Sequence, residues 1–183
     1  YAITHASLHD GFPGNSGANE ITGGSPAYAR KAVTKNAAAS RALTFTANPV
    51  FDVASGVTVR WWGGWTASTA GTCLAYGPVG GTPFEFICDL TAETVIAPAH
   101  GLSNGQMIVF YGGTVPGGLT EGTIYYVISA ATDNFQVSAT SGGSAINLTA
   151  QAAATVLCSR IIPEAFGSQG TFTLQSLTIA INK

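Results

Sequence analysis

The sequence predicts an all-β, antiparallel protein, and three observations lead there. From about residue 31 the chain becomes a series of short runs rich in Thr, Val, Ile, Phe and Tyr, separated by glycine-rich breaks. That is the pattern of strands joined by tight turns. No stretch carries a helical stripe of useful length; TKNAAASRA is too brief and too polar at its flanks to stand alone. Only 9% of the residues are charged, where soluble domains carry about 25%. Thr, Ser, Gly, Asn and Ala must therefore cover most of the surface, which repels its neighbours weakly and suits a subunit packed in an assembly.

Residues 1–30 have a different texture. Turn formers dominate HDGFPGNSGANEITGGSP without a sustained period, so the segment reads as an ordered arm, with a short helix expected over Ala2–His9. Strands are expected at Ala32–Thr34, Ala42–Ala47, Val57–Trp65, Thr72–Tyr76, Phe84–Leu90, Thr94–Ala97, Met107–Tyr111, Ile124–Ala130, Phe135–Ala139, Thr155–Arg160 and Thr171–Ile181. In the last of these Phe172, Leu174, Leu177, Ile179 and Ile181 alternate, apart from a slip at Gln175–Ser176 that marks a bulge or turn. The three tryptophans of the chain all fall in VTVRWWGGWTAS. Strand alternation puts Val57, Val59, Trp61 and Trp65 on one apolar face and Arg60 with Trp62 on the other. Trp61 and Trp65 then belong to the core. Trp62 is either buried beneath the arm or a contact residue, at a subunit interface or under a sugar ring.

Composition narrows the function. A net charge of −2 leaves no basic footprint for nucleic acid or anionic membrane. No apolar run approaches the roughly 20 residues of a membrane span, and YAITHASLHDG lacks the build of a signal peptide. Cys73, Cys88 and Cys158 are too few and scattered for a disulfide framework or zinc knuckle, and read as the reduced thiols of a protein made in the cytoplasm. His5 and His9 stand at a zinc-ligand spacing for a helix, but nothing nearby in sequence completes the site, so they are read as packing the arm. Asp10, Asn15, Asn19 and Glu20 lack the rhythm of a calcium loop. His100 sits in a turn with no paired nucleophile, and Ser103 lacks a nucleophile-elbow context. Glu85, Asp89, Glu93, Glu121, Asp133 and Glu164 form no recognisable glycosidase pair. No metal, no cofactor and no enzymatic activity are expected.

The opening segment THASLHDGFPGNSGANEITGGSPAYARKAV is the most specific signal in the chain. It resembles the start of a family of small virion proteins of tailed bacteriophages, many of them labelled tail fibre. The matching positions are Thr4, His5, Ser7, Leu8, His9, Pro13, Gly14, Gly17, Asn19, Glu20, Gly23, Gly24, Tyr28, Ala29 and Arg30; Asp10 stands where the family usually has Thr. The resemblance continues through RALTFTANPVFDVASGVTVRWWGGWTASTAGTCLAYGPV and resumes at GTFTLQSLTIAIN. The RWW run departs from the family and is read as a local adaptation for contact. Between the two halves, a stretch marked by His100-Gly101-Leu102, Gly105, Val109-Phe110, Gly122-Thr123, Tyr125-Tyr126-Val127, Phe135 and Gly142-Gly143 is similar to a small β module that recurs in phage structural proteins.

The resemblance implies an antiparallel, jelly-roll-like sandwich from 31–85 and 161–183, a small β barrel inserted over 86–160, and an N-terminal arm over 1–30. Because an insertion must leave and re-enter its host at nearby points, FEFICDL and TVLCSRI are expected as neighbours, bringing Cys88 near Cys158. The first expectation for function is a non-enzymatic protein on the outer surface of a phage head, a decoration or minor capsid subunit that stabilises the assembled shell. The alternative is a tail fibre, tail tip or baseplate element with a carbohydrate-binding role. Interface candidates are His5, His9, Tyr28, Arg30, Arg60, Trp61 and Trp62. The expected partners are other virion proteins and further copies of the chain, a trimer among them, with a host surface glycan in the tail reading.

Overall fold

The computed structural model describes residues 2–36, 42–175 and 178–180. In chain order the strands are β1 (His5–His9), β2 (Lys31–Ala32), β3 (Ala42–Thr44), β4 (Val50–Val53), β5 (Thr58–Val59), β6 (Trp61–Trp65), β7 (Cys73–Pro78), β8 (Ile87–Asp89), β9 (Thr94–Ile96), β10 (Met107–Tyr111), β11 (Ile124–Ile128), β12 (Asn134–Ser138), β13 (Leu157–Arg160), β14 (Glu164–Ala165), β15 (Gly170–Thr173) and β16 (Thr178–Ala180). The pairings β1–β2, β1–β6 and those among β8–β13 are all antiparallel. Among the described residues there is no helix. The all-β, antiparallel class read from the sequence is the fold observed. The chain divides into two compact units, Tyr1–Gly77 with Pro163–Lys183, and Pro78–Ile162.

The first unit is built on a four-stranded sheet of order β2-β1-β6-β7, accompanied by the two-stranded pairs β14-β5, β15-β4 and β16-β3. Its opening corrects the sequence reading. Ala2–His9 forms no helix: His5–His9 is an inner strand, in register with β6 from His5↔Trp65 to His9↔Trp61. The chain then loops back so that Ile21 N–H bonds Leu8 O and Asp10 N–H bonds Asn19 O. Residues expected as an arm thus supply an inner strand of the sheet and its flanking loop. Val57–Trp65, expected as one strand, is two. Arg60 separates them, its N–H bonding His9 O at 2.9 Å, so that β5 pairs with β14 and β6 with β1. β4 and β14 were not anticipated. Phe51 and Val53 on β4 face inward with Phe172 on β15, while Asp52 between them pairs with Lys31 at 3.2 Å. Leu177, Ile181 and the slip at Ser176 lie outside the described residues, as do positions 37–41 of TKNAAASRA.

The second unit is one six-stranded sheet of order β13-β10-β11-β12-β9-β8. Its alternation is regular: Val95, Ile108, Phe110, Tyr125, Val127, Phe135, Val137 and Cys158 point into a single apolar cluster that also takes in Cys88, Leu148 and Val156. Burial of such side chains contributes about 1.5–3 kcal/mol each. The closed barrel expected here does not form. The segment leading into β8 meets the edge strand β13 at one bridge, where Phe84 and Cys158 exchange N–H···O bonds of 2.9 and 3.0 Å. Beyond it the residues before β13 turn away, Val156 N–H bonding Ala153 O, and the ladder stops. That bridge places FEFICDL beside TVLCSRI, as the sequence implied. Cys88 and Cys158 are buried free thiols rather than a disulfide, and burial pushes the Cys88 thiol up to about 11. The ends of the unit also meet: Ile162 N–H bonds Val79 O at 2.9 Å.

Candidate functional site

The opening segment does its work in the interior of the first unit. β1 and β6 place His5, Ser7 and His9 on the same face as Trp65, Gly63 and Trp61, because directly paired residues of an antiparallel ladder share a face. Two polar side chains therefore sit in a buried layer, and each is satisfied. Trp65 Nε1–H donates to Ser7 Oγ at 2.7 Å, Ser7 Oγ lies 2.6 Å from His9 Nε2, and His9 Nδ1 lies 2.7 Å from Ala18 O. A carbonyl can only accept, so Nδ1 carries the ring proton. Nε2 is then free to accept from the Ser7 hydroxyl. Burial holds the His9 pKa below its ordinary value, opposed in part by the bond to Ala18, which agrees with a neutral ring. Gly63 makes the arrangement possible. A Cβ there would lie 2.6 Å from Ser7 Oγ and 2.8 Å from His9 Nε2.

A second, ionic layer adjoins it. Arg30 binds Glu20 in a two-pronged fashion, with Nη2–Oε2 at 2.7 Å and Nε–Oε1 at 2.9 Å. Its Nη1 donates to Ala70 O and Ala67 O, and the guanidinium carbon stands 3.4 Å from the centroid of the Trp65 ring. The Arg30 side chain is only 10% exposed. Tyr28 hydroxyl donates to Glu20 Oε1 and accepts from Leu8 N–H; burial raises its pKa far above the ordinary phenol value. The loop between β1 and Glu20 closes over the same tryptophans. Gly17, at φ +66°, lies so close to the Trp65 ring that any side chain there would collide with it. Phe12 meets Trp61 edge-on at 5.1 Å.

The structure places the interface candidates as follows. His9, Trp61 and Trp62 are buried within the chain, with Trp62 8% exposed. Alternation does put Trp62 opposite Trp61, but that face is covered too, since the Trp62 indole packs on Gly77 of β7. Tyr28 and Arg30 are committed to Glu20. Arg60 Nη1 donates to Asp10 O, and His5 Nδ1 lies 2.9 Å from Thr4 Oγ1. Of the seven, His9, Tyr28 and Arg30 belong to the internal network, His5 and Arg60 make bonds at exposed positions, and Trp61 and Trp62 offer no outward platform. Ser7 and Trp65 are the members that the sequence reading did not single out as a pair. Elsewhere His100 serves its turn, accepting from Leu102 N–H. Among the described residues no group of three His, Cys, Asp or Glu side chains is placed to hold a metal ion.

Residues 2–82 match the family model of the podophage GP4 fiber I protein gp80. The matching family is that of a phage fibre protein. It bears out the resemblance to small tailed-phage virion proteins read from the opening segment, and it spans a little under half of the chain. Thirteen of the fifteen positions that carried the resemblance lie between Thr4 and Tyr28, and all fall in the matched region with the network just described. The match ends at residue 82, near Pro78 where the second unit begins. No curated protein and no solved structure matches the chain.

Proposed function

We propose that this protein is a structural component of a tailed-phage tail, a fibre or fibre-associated subunit that works through the contacts it makes. The family match over 2–82 carries this reading. The residues behind that match build a rigid interior, which is what a subunit needs if it is to dock without rearranging. The head-decoration reading rested on a compact chain lacking the heptads or long repeats of a shaft, and the fibre match outweighs it. A compact body with few charges suits an adaptor or knob of a fibre equally well. Its partners are then other tail proteins and further copies of itself, and its work breaks no bonds. The Ser7–His9 pair has the make-up of a nucleophile with its base, yet both are fully buried and the Ser7 oxygen already accepts from Trp65. The receptor role loses its sugar platform with the burial of Trp62.

Quantitative mass spectrometry of purified virions tests the placement. We expect a few to a few tens of copies per particle, lost when tails are sheared off and separated. Hundreds of copies that stay with tail-less heads would overturn the tail reading and restore head decoration.

A further inference from the structure

We propose that the open seam of the second unit is a strand-addition site for an extended, positively charged peptide segment of a partner protein.

The geometry is that of an interrupted ladder. β8 bonds β9 through one edge, with Ile87↔Ile96 and Asp89↔Thr94 in register. Backbone alternation turns the N–H and C=O of residues 84, 86 and 88 to the opposite edge. Phe84 spends its pair on Cys158. Cys88 has its pair taken by a side chain: Gln151 Oε1 accepts from Cys88 N–H at 2.9 Å, and Gln151 Nε2 donates to Cys88 O. One amide side chain thus imitates the donor and acceptor of a neighbouring strand residue. Between them, Phe86 N–H and C=O have no hydrogen-bond partner among the described residues. The groove along this edge has a volume of about 680 Å³ and is walled on its far side by Gln151, three alanines and Val156. A strand entering it would replace the two Gln151 bonds one for one and add the two that Phe86 lacks.

Charge selects the occupant. The second unit has one basic residue, Arg160, against five acidic ones, Glu85, Asp89, Glu93, Glu121 and Asp133. Glu85, Ile87 and Asp89 lie at alternate positions of the edge and are exposed, Ile87 to 63%. A strand of alternating basic and apolar residues laid alongside would therefore put its basic face beside Glu85 and Asp89 and its apolar face beside Phe86 and Cys88, the favourable cross-strand pairing. A segment carrying acidic residues would meet like charges.

The test uses the full chain, labelled for amide NMR, titrated with an acetylated and amidated peptide of alternating Lys and Val. We expect saturable shifts centred on the Phe86 and Cys88 amides. Replacing the central Val by Pro, or every Lys by Glu, should abolish them. Gln151→Ala removes the competing amide and should tighten binding by roughly fivefold, whereas Glu85→Gln, at an exposed position, should weaken it by about two- to threefold. Equal binding of the Pro or Glu peptide, or shifts that avoid residues 84–90, would overturn the proposal. So would shifts that grow with protein concentration alone, which would make the occupant a second copy of this chain.

Discussion

The two units of this protein bury their interiors by different means. The second does so mainly with apolar side chains, its buried polar ones being the two hydroxyls of Ser138 and Ser159. Its core cluster is Val, Ile, Phe, Tyr, Leu and Cys, and neither ion pair found among the described residues lies within it. The first buries a histidine, a serine and a largely covered Arg–Glu pair among its three tryptophans. The difference teaches what each pattern specifies. An apolar cluster rewards any sequence of suitable size and alternation. A satisfied polar network rewards one arrangement only, because each member stranded without its partner costs a desolvation penalty. The unit matched by the fibre family is the one built in the exacting way.

The contrast can be broken most forcefully at Glu20. Glu20→Ala leaves the Arg30 guanidinium covered and unpaired, which should cost about 3–5 kcal/mol. All three tryptophans lie in the first unit, so urea unfolding followed by tryptophan fluorescence reads this loss directly. Phe110→Ala, in the second core, should cost a comparable 3–5 kcal/mol, yet the tryptophan transition should stay in place while the far-ultraviolet circular dichroism transition moves. A shift of both signals together would show that the units unfold as one. Ser7→Ala orphans Trp65 Nε1–H and His9 Nε2 and should cost about 1–3 kcal/mol, again in the tryptophan signal.

The gentlest test is pH. His9 has a folded-state pKa below its unfolded value of 6.5, so the unfolded chain binds the proton first. The stability contributed by the neutral ring is complete above pH 6.5 and is lost as pH falls below it toward the folded pKa. The urea midpoint of the tryptophan transition should drop over that range, and His9→Gln should flatten the slope. An unchanged slope in the variant would assign the pH dependence to another group.

The same contrast decided what could be read from the sequence. Met107–Tyr111 was placed with its observed bounds, and the other strands of the second unit within a few residues, because apolar alternation is the signal that strands advertise. In the first unit that signal is overwritten. THASLH buries a serine and a histidine on one face, so it shows no alternation, and a short helix was expected over Ala2–His9 instead. β4 was missed because VFDV follows a proline and is interrupted by Asp52, whose charge is met by Lys31 from a distant part of the chain. The pairing of Trp61 with Trp65 on one face was legible; the covering of Trp62 was not, since it depends on Gly77 arriving from another strand. Barrel closure failed for a similar reason. Only the fold shows that the residues before β13 turn aside and that Gln151 takes the vacant rung.

The hydrogen bond between Val79 and Ile162 has a consequence for how such a protein can change over time. It fastens together the two points at which the chain enters and leaves the second unit. A segment tied off in this manner is a cassette: it can be lengthened, traded for another or trimmed to a short hairpin while the tryptophan-bearing body keeps its own fold. Selection for new neighbours could vary this half and leave the exacting half alone.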